Sequence, residues 1–550
     1  MRDKNGYSIL EKSTQTFDQI YQSFQWDVPD HFNMAHAVCD KHASIGDSIA
    51  LYYENENGER EQYTFTQIKR YSDKFANVLK SKGVEKGDRV ALILSQRVET
   101  AIVHIAAHKL GAISLPLSVL FGPDALQYRL KDSGSKIVVT DTAHVQQIEG
   151  FNNLLPDLQE TISIDSANQF WSLLESAEEQ ITPADTLADD PALLIYTSGT
   201  TGPPKGALIA HRGLIGNLTG FEMSMNFFPR DDDVFWTPAD WAWTGGLLDG
   251  LMPSWFYGKP IVAYENTRFN AENALDLMQR YQVTTAFIPP TALKMMRKVE
   301  NIENRYSLKL RAIVSAGEAV GEELVHWARE HLKVDINEMC GQTEHNYMIG
   351  NCSAVMPLKP GSMGKAYPGH RVTVLDEQGN QLGNNETGEF AAHKSDPVHF
   401  LGYWNNPAAT AKKYAGDWFK TGDVGYRDDD GYLWFMGRSD DVISSAGYRI
   451  GPGEIEDCLM QHPAVLQAAA VGVPDPEGVR GDIVKAYIVL AKGHEASDTL
   501  KSEIQKTVRS RLAAYEYPRA IEFIDTLPMT TTGKVRRIEL RQRDLNKNEV

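Results

Sequence analysis

Asp88-Arg-Val-Ala-Leu-Ile-Leu-Ser-Gln96 is a continuous apolar run with polar ends, and Arg97-Val-Glu-Thr-Ala-Ile-Val-His-Ile-Ala-Ala-His-Lys-Leu-Gly111 follows with apolar residues at helical spacing. Ala112-Ile-Ser-Leu-Pro-Leu-Ser118 is a second apolar run, and after a short helical segment Lys136-Ile-Val-Val-Thr-Asp141 is a third. The order is strand, helix, strand, helix, strand. Apolar strands without alternation are buried on both faces, which predicts an α/β fold with parallel strands covered by helices. The pattern returns in ALLIYTSGTTG (192–202), TTAFIPPTALKMM (284–296), LRAIVSAGE (310–318) and VDINEMCGQTE (334–344), each strand entering a loop rich in Gly, Ser or Thr. Loops at the carboxyl ends of parallel strands are where ligands bind.

From about residue 361 short strands with Asp-Gly and Gln-Gly turns, as in RVTVLDEQGN and WFKTGDVGYRDDDGYLWFMGR, predict antiparallel hairpins. The expected organisation is a large N-terminal domain over 1–439, with parallel α/β sheets and a β-rich subdomain over about 361–439. A small, mobile α+β domain follows over 440–550, with a hinge at Asp440 and a helix from about Thr499 to Leu512. Residues 54–62 read as a surface hairpin.

The 550 residues exclude a single small module, and 42% hydrophobic with 23% charged residues is an ordinary globular mix. Lys+Arg total 55 and Asp+Glu 73, a formal charge of −18, so the chain has no general attraction for nucleic acid or anionic lipid. Four cysteines without a C-x-x-C pair and an N-terminus without an apolar signal core imply a cytoplasmic, reducing location. The most apolar stretch, 101–121, is broken by His104, His108, Lys109 and Pro116. It reads as buried core, not as a membrane span. His104 and His108 are spaced i, i+4 but have no third ligand nearby, and read as structural. Arg230-Asp-Asp-Asp233 and Asp428-Asp-Asp-Gly431 read as solvated turns.

Tyr196-Thr-Ser-Gly-Thr-Thr-Gly-Pro-Pro-Lys-Gly206 follows a predicted strand and is suited to phosphate. Its glycines let backbone N–H groups converge, its hydroxyls add donors, and Lys205 adds positive charge. It is not a Walker A loop, because Pro204 precedes the lysine and Gly206 follows it. Further segments are Ser315-Ala-Gly-Glu318, Gly341-Gln-Thr-Glu344, Lys420-Thr-Gly-Asp423, Gly437-Arg-Ser-Asp-Asp441, Ala446-Gly-Tyr-Arg-Ile450 and Thr532-Gly-Lys534.

In this order the segments resemble those of the adenylate-forming superfamily of acyl-CoA synthetases, amino-acid adenylation domains and luciferases, most of all the short- and medium-chain acyl-CoA synthetases. The resemblance implies that ATP activates a small-molecule carboxylic acid as an acyl-adenylate, with release of pyrophosphate, before CoA takes the acyl group. By that resemblance Thr197, Ser198, Gly199, Thr200, Thr201, Gly202 and Lys205 cradle the β- and γ-phosphates, Thr343 contacts the α-phosphate, and Glu344 helps hold Mg²⁺. Gly317, Glu318 and Ala319 lie along the adenine, with Glu338, Gly341 and Gln342 also in the nucleotide site. Asp423 binds the ribose hydroxyls, since one carboxylate accepts two O–H donors. Arg438 and Arg449 approach ribose and phosphates.

Lys534 is the implied catalytic lysine, bridging acyl carboxylate and α-phosphate during adenylation, and a candidate target of a lysine acetyltransferase and deacetylase. Arg536, Arg537 and Arg541 beside it read on their own as a charged, solvated tail. For thiolysis the resemblance implies rotation about Asp440, with Ala446 and Gly447 presented to the pantetheine arm and Arg509 to the CoA nucleotide.

Trp243, Thr244, Ala316 and Gly341 are the implied acyl pocket. Acetate-restricted members of the superfamily carry Trp where Gly341 stands, so a short- to medium-chain, branched or aryl acid is expected. The superfamily's usual aromatic residue before this glycine is replaced by Cys340, and His345 has no assigned role. Two alternatives stay open: an amino-acid adenylating enzyme that loads a carrier protein, with Asp240 pairing the ammonium, and a catalytically silent nucleotide-binding homologue.

Overall fold

The computed structural model describes residues 10, 15–165, 169–197, 203–439, 441–445, 448–476, 482–512, 517–530 and 534–548. Two compact units result: Met1–Val372 with Ala392–Trp418, and Thr373–Ala391 with Phe419–Val550.

The first unit is built on two large sheets. In one, strands Arg89–Ile93, Ile113–Leu117, Ile137–Thr140, Glu160–Ser163 and Pro191–Thr197 are parallel, and Lys205–Ala210 and Gly402–Tyr403 add antiparallel to one side. The opening segment has the predicted form, and every residue of helix Val98–Lys109 is buried. Lys109 is fully buried in this helix, 2.8 Å from Asp40 and paired also with Asp73. His104 and His108 both hydrogen-bond Ser114 Oγ, at 2.8 and 3.1 Å, as structural histidines do.

In the second large sheet, strands Ile49–Asn55, Phe235–Trp236, Ile261–Glu265, Thr285–Phe287, Ala312–Ser315 and Ile336–Gln342 are parallel. Arg60–Thr64 pairs antiparallel with Ile49–Asn55, giving the hairpin expected at residues 54–62. Asp233 departs from the solvated-turn reading. It is 1% exposed and paired with Arg311 Nε at 2.8 Å, because Thr284 and Arg311, each just before one of two neighbouring strands, close over it.

The second unit has a sheet containing Val372–Leu375, Gly388–His393, Trp418–Arg427 and Leu433–Arg438, most of whose residues fall in this unit. A three-stranded sheet of Val465–Pro474, Asp482–Leu490 and Ala520–Phe523 packs against helices Pro452–Met460 and Asp498–Arg511, the latter within a residue of the predicted helix. Among the described residues no helix is long and apolar enough to cross a membrane.

Candidate functional site

The strand Pro191–Thr197 turns back into Lys205–Ala210 with Thr197 opposite Lys205, so the phosphate-loop motif is the connection of an antiparallel hairpin. Ser198, Gly199, Thr200, Thr201 and Gly202 lie outside the described residues. The base of the loop is pinned: Thr197 Oγ1 donates to the Lys205 carbonyl at 3.3 Å and Tyr128 Oη donates to the Pro204 carbonyl at 3.0 Å.

A second hairpin joins Ile336–Gln342 to His345–Gly350 with Gln342 opposite His345, which makes Thr343 and Glu344 its two turn residues. Glu344 is 9% exposed; its Oε1 accepts a hydrogen bond from Tyr403 Oη at 2.5 Å. The ring of Tyr403 lies 5.4 Å from Lys205 Nζ, within cation–π range. Tyr403 is opposite Ala207 in the sheet, and the Phe400 N–H donates to the Glu344 carbonyl at 3.0 Å. One segment, 396–404, therefore ties the phosphate-loop hairpin to the Thr343–Glu344 turn.

His345 anchors the base of this strap. Its Nε2 lies 3.0 Å from Asp396 Oδ2 and its Nδ1 3.1 Å from His399 Nδ1, while His399 Nε2 is 2.6 Å from Tyr414 Oη. His370 Nδ1 approaches the same Asp396 oxygen at 3.3 Å. Burial would raise the Asp396 carboxyl, but hydrogen bonds from His345 and His370 overcome it and hold the group well below the usual carboxylate range. Burial depresses His345, and lowers His399 to about 3. His345, His370 and Asp396 also have the spacing of a metal-binding trio, but ordinary N–H···O bonds between them account for the arrangement. The sequence reading missed Tyr403, Asp396 and His399, for none of which a local signal exists.

Among the residues expected along the adenine, Gly317 has φ +93° after strand Ala312–Ser315, a turn that favours glycine. Gly317 and Ala319 are exposed, and the Glu318 carboxylate accepts from Thr291 Oγ1 at 3.3 Å. Glu338 Oε1 accepts from the Val320 N–H at 3.4 Å. Cys340 is half-buried opposite Ile349.

In the second unit Asp423 and Arg438 face each other across adjacent strands, 2.8 Å between Oδ1 and Nη1. Arg449 stands opposite Ser444 in a short strand pair. Lys534 is exposed; its N–H donates to Thr530 Oγ1 at 3.0 Å and its carbonyl accepts from the Thr530 N–H at 2.7 Å. The solvated reading of the neighbouring arginines is corrected at two of them: Arg537 bonds Glu456 Oε2 at 2.7 Å and Arg541 bonds Asp441 at 3.0 Å. Buried and half-buried carboxylates draw these guanidiniums in. Arg509 is exposed and lies 5.3 Å from the Tyr517 ring centroid. Asp440, Ala446 and Gly447 lie outside the described residues.

Residues 39–404 match the model of the AMP-binding enzyme family, and residues 454–534 match that of the AMP-binding enzyme C-terminal domain. The chain belongs to the AMP-binding enzymes. It is 34% identical over 558 residues to an acetyl-coenzyme A synthetase of Bacillus subtilis (strain 168), covering 98% of this chain and 96% of that protein. It is also 34% identical over 563 residues to the mitochondrial acyl-coenzyme A synthetase ACSM3 of Mus musculus, with 98% and 95% covered. Among solved structures, an anthranilate CoA ligase, AuaEII, in complex with anthranoyl-AMP is similar with TM-score 0.85 and 29% identity, covering 94% of this chain and 98% of that one.

In this AMP-binding enzyme the expected acyl-pocket residues all lie in the first unit. Trp243 meets Phe121 edge-on, with centroids 5.8 Å apart, and Thr244 and Ala316 are half-buried. A Cβ at Gly245 would lie 3.1 Å from Phe287 Cε1, which adds Phe287 to this wall. The opening anticipated at Gly341 is closed. A Cβ there would lie 2.6 Å from the Tyr347 nitrogen and 2.8 Å from Asn346 Oδ1, because the hairpin register shifts between Cys340 and Gln342 and brings the partner strand over the glycine. Asp240 accepts from Ser118 Oγ at 2.8 Å and from the Ala242 N–H at 2.9 Å.

Proposed function

We propose that the protein is an ATP-dependent, AMP-forming acyl-CoA synthetase, an acid–thiol ligase. A carboxylate oxygen attacks the α-phosphorus of ATP, the bond to pyrophosphate breaks, and the acyl-adenylate forms. The CoA sulfur then attacks the acyl carbon, its proton is lost, and AMP leaves. The observation that carries the reading is the joining of Lys205 and Glu344 through Tyr403, which sets a cation and a carboxylate of the two phosphate-side motifs about one aromatic ring. Phosphoryl chemistry of this kind depends on positioned charge more than on covalent catalysis.

Mg²⁺ fits the donor set, since Glu344 offers a hard carboxylate oxygen and Mg²⁺ is held by one or two carboxylates together with substrate phosphates. When bound, the ion supplies neutralisation of phosphate charge. Thr343 in the same turn is assigned to the α-phosphate, Asp423 to the ribose hydroxyls, and Arg438 and Arg449 to ribose and phosphates. Lys534 is assigned to the adenylation half-reaction, with Asp440 as hinge and Ala446, Gly447 and Arg509 serving CoA. An exposed Lys534 is also open to an acetyltransferase, which would erase its charge; mass spectrometry of the protein from cells tests that. The four free cysteines fit a cytoplasmic setting.

The acid is a short- to medium-chain, branched or aryl one, bound beside Gly341 where Asn346 and Tyr347 approach the glycine. Asp240 is already engaged with Ser118 and Ala242, which disfavours the amino-acid reading, where it would pair an ammonium. The test is a coupled AMP and pyrophosphate assay over linear, branched, aromatic and amino acids with CoA. AMP production dependent on acid and CoA is expected. ADP as product, or no AMP with any acid, overturns the assignment, and the latter favours a silent homologue.

A further inference from the structure

Three side chains that the proposed chemistry does not use gather behind Gly341. Asn217 comes from helix Arg212–Ser224, Asp249 from the π-helical turn Leu247–Leu251, and Asn346 from strand His345–Gly350. They are 0%, 3% and 4% exposed. Asn346 Nδ2 donates to Asp249 Oδ1, and Asn217 Nδ2 donates at 2.8 Å to the carbonyl of Leu248, the residue before Asp249. The turn that carries Asp249 follows Trp243 and Thr244 directly in the chain, and Asn346 Oδ1 stands 2.8 Å from the Cβ position of Gly341. The cluster thus borders the residues assigned to the acyl pocket.

Its hydrogen bonding is incomplete. Among the described residues Asp249 makes one side-chain hydrogen bond and no ion pair, the Asn217 Oδ1 is buried without a partner, and the Asn346 Oδ1 accepts nothing. Buried polar atoms in folded proteins are nearly all paired, so the open amide oxygen of Asn217, next to the turn that carries Asp249, marks a place where a donor is missing. Burial also pushes the Asp249 carboxyl up to about 8, which leaves this floor largely uncharged at neutral pH. A neutral carboxyl, which donates one O–H, together with amide oxygens that accept suits a neutral O–H group and is a poor match for an alkyl end or a carboxylate.

We propose that Asn346, with Asp249 and Asn217, forms a polar floor to the acyl pocket and selects short carboxylic acids that carry a hydroxyl group remote from the carboxylate. This rests on the acyl-CoA synthetase reading above. A site built to hydrogen-bond a hydroxyl rejects the analogue that lacks it, because its own polar atoms are then left unpaired in the complex.

The test uses the full chain and acids of equal heavy-atom count: 4-hydroxybutanoate, pentanoate and 4-aminobutanoate, and 5-hydroxypentanoate against hexanoate. The expected result is a kcat/KM for one or both hydroxy acids about tenfold or more above that of the matched alkanoate. In Asn346→Leu, of similar side-chain size, the ratio is expected to fall to about one. Should Asn346→Leu fail to fold, as judged by thermal unfolding, Asn217→Leu and the wild-type ratios carry the test. Alkanoates turned over as well as the hydroxy acids, a ratio unchanged in the folded variant, or a preference for 4-aminobutanoate each overturn the hydroxyl assignment while leaving the synthetase reading intact. AMP formation with none of the acids tried here or in the wider panel overturns the synthetase reading itself.

Discussion

Replacing Tyr403 by Phe removes one oxygen and leaves the ring. Two groups depend on this residue in different ways: Glu344 through a 2.5 Å hydrogen bond to the hydroxyl, Lys205 through the face of the ring 5.4 Å away. Tyr403→Phe therefore isolates the first. Donor and acceptor are 8% and 9% exposed, so little water is at hand to replace the lost partner. A hydrogen bond to a charged group contributes about 1.5–3 kcal/mol, and about 1.4 kcal/mol is a factor of ten. The carboxylate proposed to help hold Mg²⁺ is then free to rotate, and loss of such an orienting partner typically costs about 10–100-fold in metal affinity or activity. The expected result is a rise of about tenfold or more in the KM for ATP and in the Mg²⁺ concentration needed for pyrophosphate exchange, with the KM for the acid unchanged. Calorimetric titration of the variant with Mg²⁺-ATP, in the absence of acid, should show the same weakening. The reasoning is refuted if binding and exchange both stay within twofold of wild type, or if thermal unfolding drops so far that the hydroxyl proves to be a folding contact.

Lys534→Ala should abolish acyl-adenylate formation by pyrophosphate exchange and largely spare thioester formation from supplied acyl-adenylate; equal loss of both half-reactions would remove this lysine from its assigned step. Gly216→Ala should lower thermal stability by about 1–3 kcal/mol, because the new Cβ would lie 2.1 Å from the Val398 nitrogen and must displace the strap that carries Tyr403. A folded variant with unchanged exchange kinetics would show that the strap tolerates displacement. Burial holds His42 and His108 at about 4 and His211 at about 3, below the ordinary value of 6.5. The unfolded chain then binds more protons than the folded one between those values, so unfolding temperature should fall as pH drops from 6.5 toward 4. A flat profile over that window would contradict the neutral, buried state of these rings. Asp249, raised to about 8, acts in the opposite sense, so Asp249→Asn should remove a loss of stability on going from pH 5 to 8.

The parallel strands and buried helices were legible because each is a local pattern. Val90–Leu94 is apolar on both faces and Ile113–Leu117 is apolar but for Ser114, and the structure buries both faces of each. The two hairpins assigned to the phosphates were legible as motifs, since Thr197, Lys205, Thr343 and Glu344 are close in sequence to their partners in each turn. What escaped the sequence are polar pairings between distant segments. Lys109 looks like a break in an apolar helix until Asp40 and Asp73 come to it, and Asp233 looks like a turn residue until Arg311 closes over it. Gly341 is the sharpest case. A glycine in place of a large side chain implies room, yet the register shift that requires the glycine also delivers Asn346 into that room. Composition at one position cannot report the volume beside it when the neighbouring strand fills that volume. If Asn346 forms the proposed floor, mutating it should move acid preference more than any conservative change among Trp243, Thr244 and Ala316.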